Sequence, residues 1–580
     1  MNVKRKWICV LLSLLLLLTA ALGAHAAEPA EDTPVWENKE VLLAGLYESD
    51  IASMREALDL GLLTCTELTA YYLERIETYN ETYNCFITLC DDALEIAAER
   101  DAELQAGTAK GKLFGIPVVV KDNIDVAGWH TTNGYTKSSG QIAESNAAIV
   151  EYLLQEGAVI LGKTNMSTEA QDAYITSSAA VGETHNAYNT TMASGGSSGG
   201  SAVAVSLNFA AAGLGTDTNS SLRYPAALNG CVSLRSTFGR LSSDGIIQLN
   251  NTRDVPGVIT RTVQDQAIML DVLSGGETQY AENLDPNALQ GLRIGILDEM
   301  TYAVAGRTYS KLDPEIAAAF EAAVQELEAC GAEVVHVEPQ GLINLSTVTH
   351  EDDASYLKEN VYSVFLNALE EYDVAAVIYP TYVTAPLHSG RDENGTYWSP
   401  YNQPYINNCR LLSPSSGAPE ITVPLGLHSS GAGMGLEICA PKNEEQLLLN
   451  MAHAYMQRFD HRETPAGAED LYAESWAGTL GEILQLREEE LARIEAEKIK
   501  AEEEEKKKAE AALREEASPS PEAEPIIAPV EPAPENESPE KEPHANRVWY
   551  AGGAALAVMA AFAVWRVFRI RKQKHRRKPD

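Results

Sequence analysis

Gly195-Gly196-Ser197-Ser198-Gly199-Gly200-Ser201-Ala202 opens onto a run of small apolar residues, and that run leads into Gly215-Thr216-Asp217-Thr218-Asn219-Ser220-Ser221-Leu222-Arg223-Tyr224-Pro225-Ala226. Upstream, Gly115-Ile116-Pro117-Val118-Val119-Val120-Lys121-Asp122 places one lysine at the end of a β-branched stretch. A serine hydroxyl becomes a nucleophile when a base within hydrogen-bond reach takes its proton and donors wait where the oxyanion will form. A lysine can be that base only when neutral. Its ordinary pKa of about 10.4 must therefore be pushed down by burial or by neighbouring cations. Lys121 follows five apolar or proline residues, which predicts a desolvated strand end. Two serines and a buried lysine, with no histidine attached, form a candidate acyl-transfer site.

Other readings of the glycine stretch fit less well. It satisfies Gly-x-Ser-x-Gly at Ser197, but that motif wants a strand immediately before the serine. Asn186 to Ala193 is polar and turn-like instead. A phosphate loop would end its glycines in Gly-Lys-Ser/Thr, which is absent. A flexible linker would not run straight into Ala202-Val203-Ala204-Val205.

The three segments stand in the order and spacing of the amidase signature family, which this chain resembles from about Glu40 to Arg458. Further matching segments follow in family order: Thr131-Thr132-Asn133-Gly134, Phe238-Gly239-Arg240-Leu241-Ser242, Asp254-Val255-Pro256-Gly257, Thr260-Arg261-Thr262-Val263 and Gly417-Ala418-Pro419-Glu420-Ile421-Thr422-Val423-Pro424. The resemblance implies a large mixed central sheet flanked by helices, an amide-hydrolysing activity, and no cofactor or metal. It makes Ser221 the nucleophile, Ser197 (after a cis Gly196–Ser197 bond) the proton relay and Lys121 the base. Backbone N–H groups around Thr218, Asn219 and Ser220 would form the oxyanion hole, with Ser198, Asp217 and Arg223 in support. One departure falls at a sensitive place. The family has two glycines before the nucleophile, where this chain has Asn219 and Ser220. Glycine tolerates positive φ and close approach better than either. The replacement is expected to narrow the acyl side of the pocket, and it keeps open an inactive surface binding protein on the same fold. His130 and His185 fall near the motif segments and read as ordinary polar residues.

Bulk properties bound the rest. Of the 580 residues, 45% are hydrophobic, enough for a large core. The formal net charge of −39 excludes a basic footprint for nucleic acid. Lys4-Arg5-Lys6, the apolar Ile8 to Leu18 and Ala24-His25-Ala26 read as a signal peptide over residues 1–26. The seven cysteines after Cys9 lack a CxxC pair, so buried free thiols are expected, although a Cys85–Cys90 bridge is open to an exported protein.

Alternating strand-like and helical segments predict an α/β domain over residues 40–475. Helical periodicity runs from Glu40 to Gly107, and helices are expected at Ala148–Leu154, Ser201–Ala212 and Asp313–Cys330. Strands are expected at Leu113–Val120, Ala158–Leu161, Leu292–Leu297, Ala332–Val337, Val374–Tyr379 and Glu420–Pro424. Beyond Gly481 the style changes. Residues 481–517 are rich in Glu, Lys and Ala, with i,i+4 pairs such as Glu502–Lys506 and a broken heptad hint at Leu484 and Leu491. They read as a solvated helical stalk rather than a sustained coiled coil. Residues 518–545 alternate proline with polar residues, a disordered spacer. Val548 to Val564 is an apolar span of about 17 residues, at the short limit for a bilayer helix. It lies within a predicted transmembrane segment, 548–565, and the basic tail 566–580 would stay cytoplasmic. The chain thus reads as a single-pass, membrane-anchored, extracytoplasmic amidase acting on a small-molecule or peptide amide. The glutaminase component of tRNA-dependent amidation shares the fold, but that role is cytosolic and disagrees with the export signal.

Overall fold

Strands built from β-branched and small apolar residues, buried on both faces, form the centre of the molecule. The computed structural model describes residues 34–136, 139–301, 303–305, 308–310, 312–339, 342, 354–390 and 408–516. Eleven strands make one sheet. In chain order they are β1 (Phe86–Leu89), β2 (Pro117–Lys121), β3 (Val159–Thr164), β4 (Ala212–Asp217), β5 (Val232–Arg235), β6 (Val255–Thr260), β7 (Arg293–Leu297), β8 (Glu333–Val337), β9 (Ala376–Pro380), β10 (Glu420–Leu427) and β11 (Gly433–Cys439). Their spatial order is β1-β3-β2-β4-β6-β5-β10-β11-β9-β7-β8. β2 runs parallel to both β3 and β4, and β7 parallel to both β8 and β9. The remaining pairings are antiparallel, so the sheet is mixed. Every residue of β2, β3, β4 and β6 is buried, which explains their unbroken runs of small and branched residues.

Helices cover both faces. The helix Cys65–Tyr83 starts in a capping box: Thr64 Oγ1 accepts from the Glu67 N–H at 3.0 Å, and Glu67 Oε2 accepts from the Thr64 N–H at 2.9 Å. The helix Pro314–Ala329 starts on the Asp313 side chain with proline in its first turn. The helix Ala354–Tyr372 buries Val361, Phe365 and Leu369 in a satellite core with Leu297, Val377, Tyr379 and Leu412.

Several sequence-based boundaries move. The helical periodicity of Glu40–Gly107 resolves into four helices, Lys39–Ala44, Ile51–Asp59, Cys65–Tyr83 and Ala93–Gln105, interrupted by β1. Phe86-Ile87-Thr88-Leu89 extends because it completes the sheet edge against β3. The helix expected over Ser201–Ala212 spans only Gly199–Ser206, and Ala212 already belongs to β4. Its small residues serve close approach to the sheet. All seven described cysteines are free thiols.

The described chain falls into two units, one ending at Ile499 and the other beginning at Lys500. A helix spans Leu480–Glu516. In the first unit its opening turn buries Leu480 and Ile483, whereas Leu491 and Ile499 are exposed. Among the described residues no helix is long and apolar enough to cross a membrane. The expected signal peptide, proline-rich spacer, transmembrane segment and basic tail all lie outside the described residues.

Arg75 ties distant parts of the first unit together. Fully buried, it donates to the carbonyls of Asn208 (3.1 Å), Leu207 (2.9 Å), Glu469 (2.9 Å) and Ala468 (2.8 Å). It joins the helix Cys65–Tyr83 to the turn before β4 and to a segment almost 400 residues further on. Arg75→Met should lower the unfolding free energy in urea by about 3 kcal/mol, because four carbonyls lose a charged donor that water cannot replace. A loss within the error of the extrapolation would show the tie to be incidental.

Candidate active site

The site lies where β2 and β4, adjacent and parallel, both end. β2 closes on Lys121 and β4 on Asp217, with Val120 in register with Leu214. The C-terminal edge of parallel strands, where the chain leaves the sheet, is where α/β folds build sites. The loop after β4 carries Thr218, Asn219, Ser220 and Ser221. The helix Gly199–Ser206 brings the Gly195–Gly200 loop alongside: Ser201 Oγ donates to the Leu214 carbonyl at 2.8 Å, and Ser198 Oγ to the Thr216 carbonyl at 3.2 Å.

Two glycines in that loop have structural reasons. Gly195 has φ +73°, which side chains rarely adopt, and a Cβ there would stand 2.8 Å from the Pro225 Cα. At Gly200 a Cβ would collide with the backbone of Asn165. The Gly196–Ser197 peptide bond is cis. The Gly196 N–H donates to the Ala173 carbonyl at 3.1 Å, and the Ser197 carbonyl accepts from the Ser167 N–H at 3.2 Å.

Of the three segments, the first two meet side chain to side chain, Lys121 to Ser197, and the third joins them through the Ser221 backbone. Lys121 is fully buried. Its Nζ donates to Ser197 Oγ at 2.7 Å and to Thr216 Oγ1 at 2.9 Å. Thr216 Oγ1 also accepts from Asn123 Nδ2 at 3.2 Å. Burial holds the Lys121 pKa at about 7, against the weaker opposing pull of the Asp254 and Asp217 charges. Ser221 is buried, and its carbonyl accepts from the Ser198 N–H at 3.2 Å, joining the two serine loops. Among the described residues nothing accepts from the backbone N–H of Thr218, Asn219 or Ser221.

The loop after β4 is held from below by charge. Arg223 is fully buried; its Nε donates to Asp217 Oδ2 at 3.1 Å, its Nη1 to Glu420 Oε1 at 2.6 Å and its Nη2 to the Asn219 carbonyl at 2.8 Å. Glu437 Oε2 lies 3.4 Å from the same Nη1. Arg235 Nη1 reaches Asp217 Oδ1 at 3.1 Å. Burial alone would raise the Asp217 pKa, but Arg223 and Arg235 outweigh it and keep the carboxylate ionised. Burial and the neighbouring Glu420 push the Glu437 carboxyl well above the usual carboxylate range. The Thr131–Gly134 segment has a related task. Thr132 Oγ1 and the Gly134 N–H donate to Asp122 Oδ2 at 2.5 and 3.1 Å, fixing the residue after Lys121.

Asn219 and Ser220, the departure from the family pattern, cause no backbone conflict: neither has a positive φ. Ser220 is fully buried. The Asn219 side chain turns to the rim, where its Oδ1 accepts from Arg253 Nη1 at 2.8 Å. His130 is exposed, with Nδ1 3.3 Å from the Gly140 carbonyl, and neither it nor His185 bonds to Lys121, Ser197 or Ser221. Among the described residues no three His, Cys, Asp or Glu side chains gather as metal ligands would.

Sequence reasoning missed Thr216, Asn123, Arg235, Glu437 and Arg253. A usable signal existed for Glu437 alone, a carboxylate inside the otherwise apolar Gly433–Cys439.

Comparison with known proteins agrees with this geometry. The family model described as Amidase matches residues 67–349. A glutamyl-tRNA(Gln) amidotransferase subunit from Nitrosococcus oceani is 30% identical over 498 residues, spanning 73% of this chain and 100% of that protein. The native peptide amidase of Stenotrophomonas maltophilia superposes with a TM-score of 0.60 at 29% identity, covering 72% of this chain and 98% of the other. An amidase family protein from Bacillus anthracis gives 0.61 at 25% identity, covering 75% and 95%.

The state of Lys121 yields a pH prediction. Below about pH 7 its amine holds a proton and cannot accept one; above, the neutral fraction approaches unity. When chemistry limits the rate, kcat/KM for a neutral amide should therefore climb with pH through an inflection near 7 and then level. Lys121→Met should abolish the climb and cut the rate by about a hundredfold or more. A flat wild-type profile from pH 5 to pH 9, an interval spanning roughly two units either side of the inflection, would contradict a lysine base.

Proposed function

The chain belongs to the amidase signature family and is a hydrolase acting on amide C–N bonds, and from that premise we propose that it works through an acyl-enzyme on Ser221. The observation that carries the proposal is the fully buried Lys121 amine, 2.7 Å from Ser197 Oγ. In this reading Ser221 Oγ attacks the amide carbon while its proton passes to Ser197, whose own proton passes to neutral Lys121. The oxyanion forms against the backbone N–H groups of the Thr218–Ser221 loop. The tetrahedral intermediate collapses when Lys121, through Ser197, returns a proton to the departing nitrogen. The C–N bond breaks and leaves an ester on Ser221, which water, deprotonated by the same relay, then cleaves. Asp217 and Arg223 fix the loop, and Ser198 ties it to the relay. The substrate is a small-molecule or peptide amide.

The proposal places this chemistry outside the cytoplasmic membrane, on a single-pass anchor. Support comes from the basic and apolar composition of residues 1–26, and from the apolar 548–565 followed by the basic 566–580. The helix Leu480–Glu516 and the proline-rich 518–545 serve as stalk and spacer. Resemblance over the full length of the amidotransferase component favours one second reading, a glutamine-hydrolysing member of a larger assembly. Recovery of the native chain in a soluble complex with other proteins would select it.

Two measurements test the primary reading. A fluorophosphonate probe should label wild-type protein at Ser221. Ser221→Ala should lose the label and at least about a thousandfold in turnover while unfolding at the same temperature. An unlabelled wild type, inert toward every amide and ester tried, would instead indicate a binding protein on this fold. Protease added to intact cells should cut within residues 518–545 and release the catalytic part. Protection of the whole chain would place the enzyme inside.

A further inference from the structure

Four cations from four separate parts of the chain lie within one another's electrostatic reach, and one of them, Arg253, touches the Ser221 loop. Arg253, just before β6, donates from Nη1 to Asn219 Oδ1 at 2.8 Å. Lys358, on the helix Ala354–Tyr372, sets its Nζ 3.5 Å from the centroid of the Phe238 ring. Lys442 lies 4.0 Å over the Tyr362 ring of the same helix. Arg410 donates to the Tyr174 hydroxyl at 3.1 Å, beside the segment that holds Gly196. Beneath them Arg235 joins the group, donating from Nη2 to the Arg253 carbonyl at 2.5 Å.

Among the described residues, counter-charges are unevenly shared within the cluster. Arg235 is neutralised by Asp217. Lys442 has Glu359 in its field. Among the described residues no carboxylate lies within ion-pair distance of Arg253, Lys358 or Arg410. All three are met by amide, hydroxyl or ring faces. The crowding shows in their titration. Partial burial, then the charges of Arg235, Arg253 and Lys442, lower Lys358 to about 7. Burial and Arg410 lower Arg253. Like charges gathered without a counter-charge cost free energy that a bound anion would return.

We propose that the rim formed by Arg253, Lys358 and Arg410 binds a carboxylate of the substrate, so that the preferred substrates are amides bearing an anionic group near the scissile bond. The proposal rests on the amidase reading above and specifies its substrate class. Asn219 then has a purpose that glycine could not serve: its side-chain amide oxygen Oδ1 orients the Arg253 guanidinium next to the nucleophile loop. A planar guanidinium held in this way can present its remaining N–H donors to both oxygens of a carboxylate.

The test uses the purified full chain and matched amides that differ in one charge. One pair places it on the acyl part, succinyl-4-nitroanilide against its methyl ester. A second places it on the amine part, an N-acylglycine against the corresponding N-acylglycinamide. In at least one pair kcat/KM should favour the anion by about tenfold or more, mainly through KM, and added salt should shrink the preference. Arg253→Met and Lys358→Met should each lower that ratio several-fold. Equal or inverted preference in both pairs, or a ratio that neither substitution moves, overturns the proposal. Failure of the amidase reading is separable. If no amide turns over and the fluorophosphonate does not label, calorimetry compares succinamate with its methyl ester as plain ligands. Tighter binding of succinamate, lost in Arg253→Met, supports the anion site on its own, and equal binding sinks it.

Discussion

Everything at this site depends on keeping one amine dry. Lys121 sits fully buried at the end of β2 with two hydroxyls for partners and no carboxylate in contact. Water removal disfavours the ammonium form, and the nearby Asp217 and Asp254 charges favour it. Desolvation is the larger of the two. Asp217 is occupied by Arg223 and Arg235, and Asp254 Oδ2 accepts from the Leu249 and Asn250 N–H groups at 2.6 and 3.1 Å. Had Asp217 faced Lys121 unpaired, its field would have held the lysine protonated and removed the base. The two arginines thus act on the chemistry without approaching it, by absorbing a charge that would otherwise be misplaced.

The same arginine also sets geometry. Arg223 holds the Asn219 carbonyl from beneath, and Leu222 N–H caps Asp217 Oδ2 at 3.2 Å. The Ser221 carbonyl is held in a similar way by the Ser198 N–H. Such a loop needs no glycine where φ stays negative, and that is how Asn219 and Ser220 fit without strain. Arg223 is buried among three carboxyl groups whose mutual repulsion works against it, and the upward push that burial and Glu420 exert on Glu437 is the sign of that crowding.

What could be read from the sequence follows from what is local. Lys121, Ser197 and Ser221 each sit in a contiguous string whose composition states its role: a β-branched run for burial, and glycines for a tight turn and close approach. Strands β2, β3, β7 and β9 announced themselves as apolar blocks. β4 did not, because Ala212-Gly213-Leu214-Gly215 continues the small-residue style of the preceding helix, and the break at Ser206 is made by contacts with the sheet. β1 was hidden inside helical periodicity because its extended form is imposed by pairing with β3. Partners of Arg223 were illegible for another reason: Glu420 and Glu437 lie 197 and 214 positions away, and only the sheet order brings β10 and β11 behind the nucleophile loop.

Charge distribution carries the last step. A chain with a formal net charge of −39 repels anions at long range. Gathering Arg253, Lys358 and Arg410 at one rim with no carboxylate partner among the described residues therefore works against the molecule's own composition, and against the ordinary preference of surface cations for nearby acids. Solvent screening confines the general repulsion to about 10 Å at moderate salt, so a local cluster can reverse its sign close to the site. A neutral amide would experience little of this gradient. An amide with one carboxylate would be oriented by it, its charge toward Arg253. That orientation would draw on binding energy remote from the scissile bond, which is how an enzyme directs a substrate without touching the reacting atoms.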